Sequence, residues 1–402
     1  MPDVGQVSER CKSMSGGGSS PGVNPHCVHI NSGNVLSSLR AIVERGAAGP
    51  SAIYRFADGC RANGQFDSWR AAVALALDLP HSTPQDIYYR ARVKLTLGDW
   101  SGWTDYEARH DKPGAWSGVT PWARWRSWST FEWNGREGLR DLTLMVVGEK
   151  GFGDVLQMLR FIPPLVEQAR HVIVYVDHQL VNFVQFNLGP TVLVTTHDAD
   201  HTANVDRYVW SMSLPAFAGD LPPFRPLVAP SPLGIREDGD GAFRIGLCWA
   251  GNPRHSADAQ RSMPLAALRP LTERGDIECV SLQLGQRMND AAMFPKIVQF
   301  NTLLQSFAET ADLVTGLDAV VTVDTAVAHL AGGLGVPTYL LLPYAADWRW
   351  GLEDRTPWYP TMQLVRQRTP NGWNEVVTTL VRRLETQVLA GNANADRPPS
   401  LA

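Results

Sequence analysis

The spacing of apolar positions divides the chain into two kinds of pattern. From about residue 51 to 110 apolar residues recur at helical intervals. From about 141 onward, short continuous apolar runs alternate with amphipathic stretches. The runs DLTLMVV, HVIVYVD, TVLVTT and VDRYVW, then FRIGLCWAG, DIECVSLQLG, KIVQF, LDAVVTV, VPTYLLLP and MQLVRQ, read as strands buried on both faces. Between them VLQMLRFIPPLVEQ, residues 178–187, MPLAALRPLTERG and SFAETADLVTGL read as helices, the last with Ser306 as N-cap. Strands alternating with helices predict an α/β chain of two parallel, doubly wound sheets. A last long helix, about 372–390, is expected to cross back to the first sheet. The Pro-, Gly- and Asp-rich stretch 219–242 reads as the linker between the two.

The helical stretch contains a repeat. Tyr54, Ala57, Gly64 and Trp69 recur as Tyr88, Ala91, Gly98 and Trp103 at one offset of 34 residues. That is the tetratricopeptide (TPR) period of paired helices. The expected helices are 51–63, 66–79, 84–97 and 100–110, with the two glycines at the turns inside each pair. Two repeats are fewer than such arrays need for stability, so the segment is expected to dock on the next domain or to continue into a degenerate helix at 35–46. It is either a groove for a protein or peptide, or a packing appendage.

The stretch 324–335, DTAVAHLAGGLG, joins two predicted strands. Val327, Leu330, Ala331 and Leu334 share a helical face, Asp324 or Thr325 supplies the N-cap, and Gly335 the stop. A helix starting at the carboxyl edge of a parallel sheet offers free N–H groups and a dipole to an anion, and small Ala326 and Ala328 allow a phosphate close approach. Taken alone, Asp324 reads as a cap and His329 as a packing residue. The first predicted sheet has its own glycine-rich turn, Gly148-x-x-Gly151-x-Gly153-Asp154, which differs from the dinucleotide fingerprint. Asp154 opens a helix there, as N-cap or as a group facing a substrate. Two sheets with such loops predict a cleft in which Gly153-Asp154 faces Asp324-Thr325.

Composition narrows the readings. With 36 Lys+Arg against 40 Asp+Glu, the net charge of −4 gives no footing for nucleic acid. No apolar run reaches the roughly 20 residues that span a bilayer. The five cysteines are scattered without a CxxC pair, so neither a disulfide framework nor structural zinc is expected and a cytoplasmic location is the default. The start lacks an apolar core for a secretory signal. Half of the 14 tryptophans fall between Trp100 and Trp133. Trp122, Trp125, Trp128 and Trp133 either stack on sugar rings or, the reading favoured here, fix a connector against a domain surface.

These stretches together resemble a known group. VTVDTAVAHLAGGLGVPTYLLL is similar to the donor-binding stretch of glycosyltransferase family nine, the lipopolysaccharide heptosyltransferases, and GFGDVLQMLRFIP to its N-terminal Gly-Asp-Val-Leu motif. RIGLCWAGNP, RSMPLAAL, SLQLG, FAETADLV and DWRWGLEDRTPWYP resemble bacterial proteins in which TPR repeats precede such a domain. The resemblance covers about residues 50–390. It implies a GT-B fold, with two Rossmann-like domains facing a cleft, and an inverting, metal-independent transfer from a nucleotide-diphosphate sugar, without a cofactor. It implies Asp154 as the catalytic base, Arg261 as the cation on the leaving diphosphate, and Asp324, Thr325 and His329 on the phosphate and ribose side. Ala326 stands where that family commonly has Gly. Gly151, Gly153, Asn252 and Gln283 complete the expected donor-binding set. The implied organisation is a disordered tail (1–34), TPR-like helices (35–110), a Trp-rich connector (111–140), an acceptor domain (141–218), the linker (219–242), a donor domain (243–390) and a frayed end (391–402).

The leading expectation is a glycosyltransferase moving a sugar, a heptose among the sugars the resemblance admits, to a protein or glycan acceptor, with the TPR-like segment as a possible protein-binding face. The competing expectation is a non-catalytic scaffold with a degenerate transferase domain. A GT-B sugar epimerase is a third, for which no acid/base set of its own is evident.

Overall fold

A computed structural model of the 402-residue chain describes residues 32–111, 132–196, 205–232, 243–300 and 303–395. The calls on residues 1–31 and on Trp122, Trp125 and Trp128 lie outside these.

Two parallel sheets form the frame. The first has the order β3-β2-β1-β4, from β1 (Thr143–Val147), β2 (His171–Tyr175), β3 (Val192–Thr195) and β4 (Arg207–Trp210). The second has the order β10-β9-β8-β5-β6-β7, from β5 (Phe243–Cys248), β6 (Ile277–Ser281), β7 (Val298–Gln299), β8 (Ala319–Val323), β9 (Thr338–Leu342) and β10 (Met362–Arg366). Every strand pair is parallel, and β1, β5, β8 and β9 are buried along their whole length. That is why they read as unbroken apolar runs rather than as alternating ones. Strand order reverses between β1 and β4 in one sheet and between β5 and β8 in the other. The loops leaving those strands therefore open the two switch-point crevices.

Proline sets the helix boundaries. The predicted helix through VLQMLRFIPPLVEQ is three pieces: a helix Phe152–Met158, a 3-10 turn Leu159–Phe161 and a helix Pro163–Gln168. Pro163 lacks the N–H an interior position needs and starts a new helix instead. MPLAALRPLTERG likewise breaks into a 3-10 turn Leu265–Leu268 and a helix Arg269–Thr272 around Pro270. Helix Trp373–Ala395 does not cross back. Trp373, Val376, Val377, Leu380 and Leu384 pack into the core of the second sheet. The 219–232 part of the linker is pinned to both halves: Pro222 O accepts from Arg160, and Leu227 N donates to Gly333 O at 2.8 Å.

The N-terminal helices are Pro50–Ala62, Phe66–Asp78, Pro84–Thr96 and a short Gly102–Tyr106 continued by a 3-10 turn Glu107–His110. Gly64 and Gly98 both have φ of 79°, the left-handed conformation that glycine adopts without steric cost. A helix Ser32–Glu44 precedes them and contributes Val35 and Leu39 to the same core. This segment leans on both sheets. Phe66 meets Tyr344 at a ring separation of 4.9 Å, Trp103 meets Trp348 at 5.3 Å, and Arg61 donates to Ala346 O at 2.9 Å. Trp100 donates to Pro215 O at 3.2 Å. The helical face thus holds the loop that follows β9. Trp133 is buried, edge-on to Phe217 at 5.4 Å, and its indole donates to Glu137 O, a packing role.

Candidate functional site

The two switch-point loops meet where helix Phe152–Met158 crosses helix Ala326–Gly333. A Cβ on Gly153 would lie 2.6 Å from His329 Cδ2 and 3.4 Å from Ala326 Cα. Only a residue without a side chain allows the two helix N-termini to approach this closely. Both therefore present their positive ends to the same space.

Asp154 is the third residue of its helix, and Gly151 is the N-cap. The expectation that Asp154 is the N-cap is corrected accordingly. Its Oδ2 reaches back to accept the Gly151 N–H at 2.8 Å, while Oδ1 accepts from Arg349 Nη2 of the second half. Beside Gly151, Lys150 has φ of 68°, an uncommon conformation for a side-chain-bearing residue.

On the facing side, Thr325 is the N-cap residue of helix Ala326–Gly333, yet its hydroxyl caps nothing. It lies 3.1 Å from the Thr322 hydroxyl and 3.7 Å from Cys248 Sγ. The Asp324 carbonyl accepts from Arg261 Nη1 at 2.9 Å. Arg261 is held by Asp258 Oδ1 at 3.3 Å and lies flat on Gly251, where a Cβ would come within 2.4 Å of Nη2. Burial pushes the Asp324 carboxyl up to about 6; Asp347 raises it further, and Trp350, Arg261 and Arg349 offset part of the rise. Burial holds His329 down to about 4, so its ring is neutral. Its Nδ1 lies 2.9 Å from the Tyr359 hydroxyl, and its ring packs on Trp350 at 5.0 Å.

Two expected donor-binding residues make contacts within the protein. Gln283 is buried, and its amide is consumed by backbone. Its Oε1 accepts from Trp249 N at 3.0 Å and Ala250 N at 2.9 Å, and Nε2 donates to Ala250 O and Leu284 O, both at 3.0 Å. With its donors used, it shapes the loop after β5 and has none left for a ligand. Asn252 is exposed at the loop tip and turns back on Arg254 N at 3.0 Å.

Sequence reasoning missed the 343–350 loop. Arg349 donates to Asp347 Oδ1 at 2.8 Å as well as to Asp154, and stacks on Trp348 at 4.2 Å. Asp347 also caps the 3-10 turn Trp348–Trp350, and the Arg349 guanidinium holds its carboxyl below the usual range against the opposing effect of burial. The motif DWRWG stood out in the sequence, but nothing local in it says that its arginine pairs with a carboxylate 195 residues earlier. Also missed was the lock beneath the glycine-rich turn. There Arg109 of the helical segment pairs with Glu149 and Glu107, and donates to Ser213 Oγ at 2.8 Å.

No family model matches the chain. It is 24% identical over 343 residues to Protein FlbA of Caulobacter vibrioides, an alignment covering 75% of this chain and 55% of that protein. The chain thus spans about half the length of this curated relative. Among solved structures it is similar to E. coli ADP-heptose lipopolysaccharide heptosyltransferase II, at 13% identity and a TM-score of 0.42 over 61% of this chain and 99% of that one. It is similar to E. coli heptosyltransferase WaaC with ADP-2-deoxy-2-fluoro heptose, at 12% and 0.43 over 61% and 100%. It is also similar to the family 9 glycosyl transferase of Veillonella parvula, at 12% and 0.42 over 63% and 100%.

Proposed function

We propose that this chain is a GT-B glycosyltransferase that moves a sugar from a nucleoside-diphosphate donor to a hydroxyl acceptor, with Asp154 as base and Arg261 at the diphosphate. The observation that carries the reading is the meeting of two switch-point loops, one bearing a carboxylate and the other a helix N-terminus with a guanidinium beside it. The chemistry uses both. The acceptor oxygen bonds to the anomeric carbon from the face opposite the diphosphate and passes its proton to Asp154. The anomeric carbon–oxygen bond breaks, and its electron pair leaves on the diphosphate. Arg261 and the N–H groups of helix Ala326–Gly333 stabilise that charge. Attack from the opposite face inverts the anomeric configuration. Two guanidiniums near the diphosphate support charge neutralisation without a metal. Heptose donors rank first, on the strength of the motif resemblance.

The helical segment supports a positioning role. Its inner face is filled by the chain's own loop through Tyr344, Ala346 and Trp348. An acceptor protein would have to use another face of it.

The test is a panel of nucleotide sugars with and without chelator. Thermal shift should identify one nucleoside diphosphate, since a ligand at 100 times its Kd stabilises by about 2.7 kcal/mol. Transfer or hydrolysis of the corresponding sugar should then proceed unchanged in EDTA. Binding of no nucleotide in the panel would remove the reading, and a strict divalent-ion requirement would remove the metal-free site.

A further inference from the structure

We infer that Arg349 is a donor-binding residue: paired with Asp154 in this structure, it passes to the diphosphate when the donor enters. The inference rests on the donor reading above and adds the order in which the site assembles.

Three observations carry it. The first is the geometry at Asp154. Its Oδ2 accepts the Gly151 N–H, and Oδ1 faces Arg349. In that arrangement the oxygen directed toward the second half is covered by a cation, and an acceptor hydroxyl has poor access to it. The Gly151 contact is fixed by the helix start, so the partner that can leave is the side chain of Arg349. The second is that Arg349 is incompletely used. A guanidinium carries five N–H donors, and hydrogen bonds go to Asp347 and Asp154, while the buried Nε has no partner among the described residues. Its stack on Trp348 gives the guanidinium a flat support along which to shift. The third is the electrostatics. Asp154, Asp324 and Asp347 surround the space proposed for a diphosphate, and Arg261 is the other guanidinium there, already engaged by Asp258 and the Asp324 carbonyl. A diphosphate entering beside three carboxylates gains most from a bidentate guanidinium, and Arg349 is held there by side-chain carboxylates alone, whereas Arg261 is also tied to the backbone.

The consequence is coupling. Whatever draws Arg349 from Asp154 uncovers Oδ1, so the donor prepares the base that attacks through the acceptor. Donor should bind before acceptor. By reciprocity, a carboxylate at 154 competes with the diphosphate for the same cation.

The experiment is calorimetric titration of ADP, GDP and UDP into the full chain, for the wild type, Asp154→Asn, Arg349→Met and the double variant. Methionine keeps apolar contact with Trp348 and removes the charge. Arg349→Met should weaken the nucleotide that binds by roughly 10- to 100-fold, and Asp154→Asn should tighten it by about fivefold, within the usual range for coupled sites. The double variant should match Arg349→Met. A folded Asp154→Asn variant with unchanged or weaker affinity overturns the inference, as does tightening that persists without Arg349. If Arg349→Met fails to fold by circular dichroism, the Asp154→Asn result alone decides. Wild-type chain that binds none of the three nucleotides defeats the donor reading, which is a different failure from a wild type that binds while the variants do not diverge.

Discussion

Two arginines grip the same glycine-rich turn and do opposite things. Arg109 reaches Glu149 from the helical segment, and Arg349 reaches Asp154 from the second sheet. Arg109 is 2% exposed, and its hydrogen bonds to Glu149, Glu107, Ser213 and Tyr106 O account for all five N–H donors. Glu149 also accepts from Met212 N. Arg349 is bound on two sides, and its buried Nε has no partner among the described residues. A saturated buried network fixes one arrangement, because any departure strands a charge. An unsaturated one at a cleft keeps donors for something else. Six residues of one turn, Glu149 to Asp154, therefore carry both the anchor and the working group.

The sharpest way to break this comparison is to cut each pair. Arg109→Met leaves Glu149 buried without its partner and should cost about 3–5 kcal/mol in urea unfolding. Arg349→Met should cost less than half as much, because Asp154 and Asp347 keep partial access to water. Equal losses would make Arg349 a second anchor and end the contrast.

The next effect is pH dependence. His329 is neutral when folded, with its value held down to about 4, whereas an unfolded histidine takes a proton near 6.5. Its contribution is present above 6.5 and is lost as pH falls toward 4, by up to about 3 kcal/mol. Asp324 works in the other direction. Raised to about 6, it contributes stability fully present below its unfolded value near 3.9 and lost as pH rises through 6. The wild type should show a shallow profile over this window. His329→Gln should then lose its acid penalty, so the gap between its unfolding free energy and that of the wild type should change between pH 7 and 4. Parallel curves for the two proteins would contradict the burial argument.

Smaller again is the helix crossing. Gly153→Ala places a methyl against His329 and should cost about 1–3 kcal/mol, the usual range for overpacking. It should also weaken nucleotide binding, because the helix N-termini separate. A neutral Gly153→Ala would show that the crossing has slack. The smallest stability effect is expected at Gly251→Ala, within about 1 kcal/mol, because the crowded neighbour is the end of the Arg261 side chain. Its effect should appear instead as a few-fold weaker nucleotide affinity.

The frame of the molecule was legible because parallel strands buried on both faces leave long apolar runs, and because Gly64 and Gly98 mark their turns by backbone need. Asp154, Arg261, Asp324, Thr325 and His329 were legible as one neighbourhood because loops at the carboxyl edge of a sheet converge. What was not legible depended on partners distant in sequence. Gln283 looked like a ligand residue, yet its donors and acceptor go to the backbone of Trp249, Ala250 and Leu284. Asp154 looked like an N-cap, and the N-cap is Gly151, three residues earlier. Arg349 and Arg109 gave no local signal, since a guanidinium's role is set by the carboxylate that it reaches.

The central claim is that Asp154 takes the acceptor's proton. Asp154→Asn keeps an oxygen for the Gly151 N–H, so the helix start is preserved. With the donor from the panel in hand, turnover of this variant is the deciding measurement. The account predicts a fall of roughly 10²–10⁴-fold in kcat, the usual worth of general-base catalysis, with fold and nucleotide binding retained. Native turnover in a folded, nucleotide-binding Asp154→Asn enzyme would contradict it and leave the base to be sought elsewhere in the cleft.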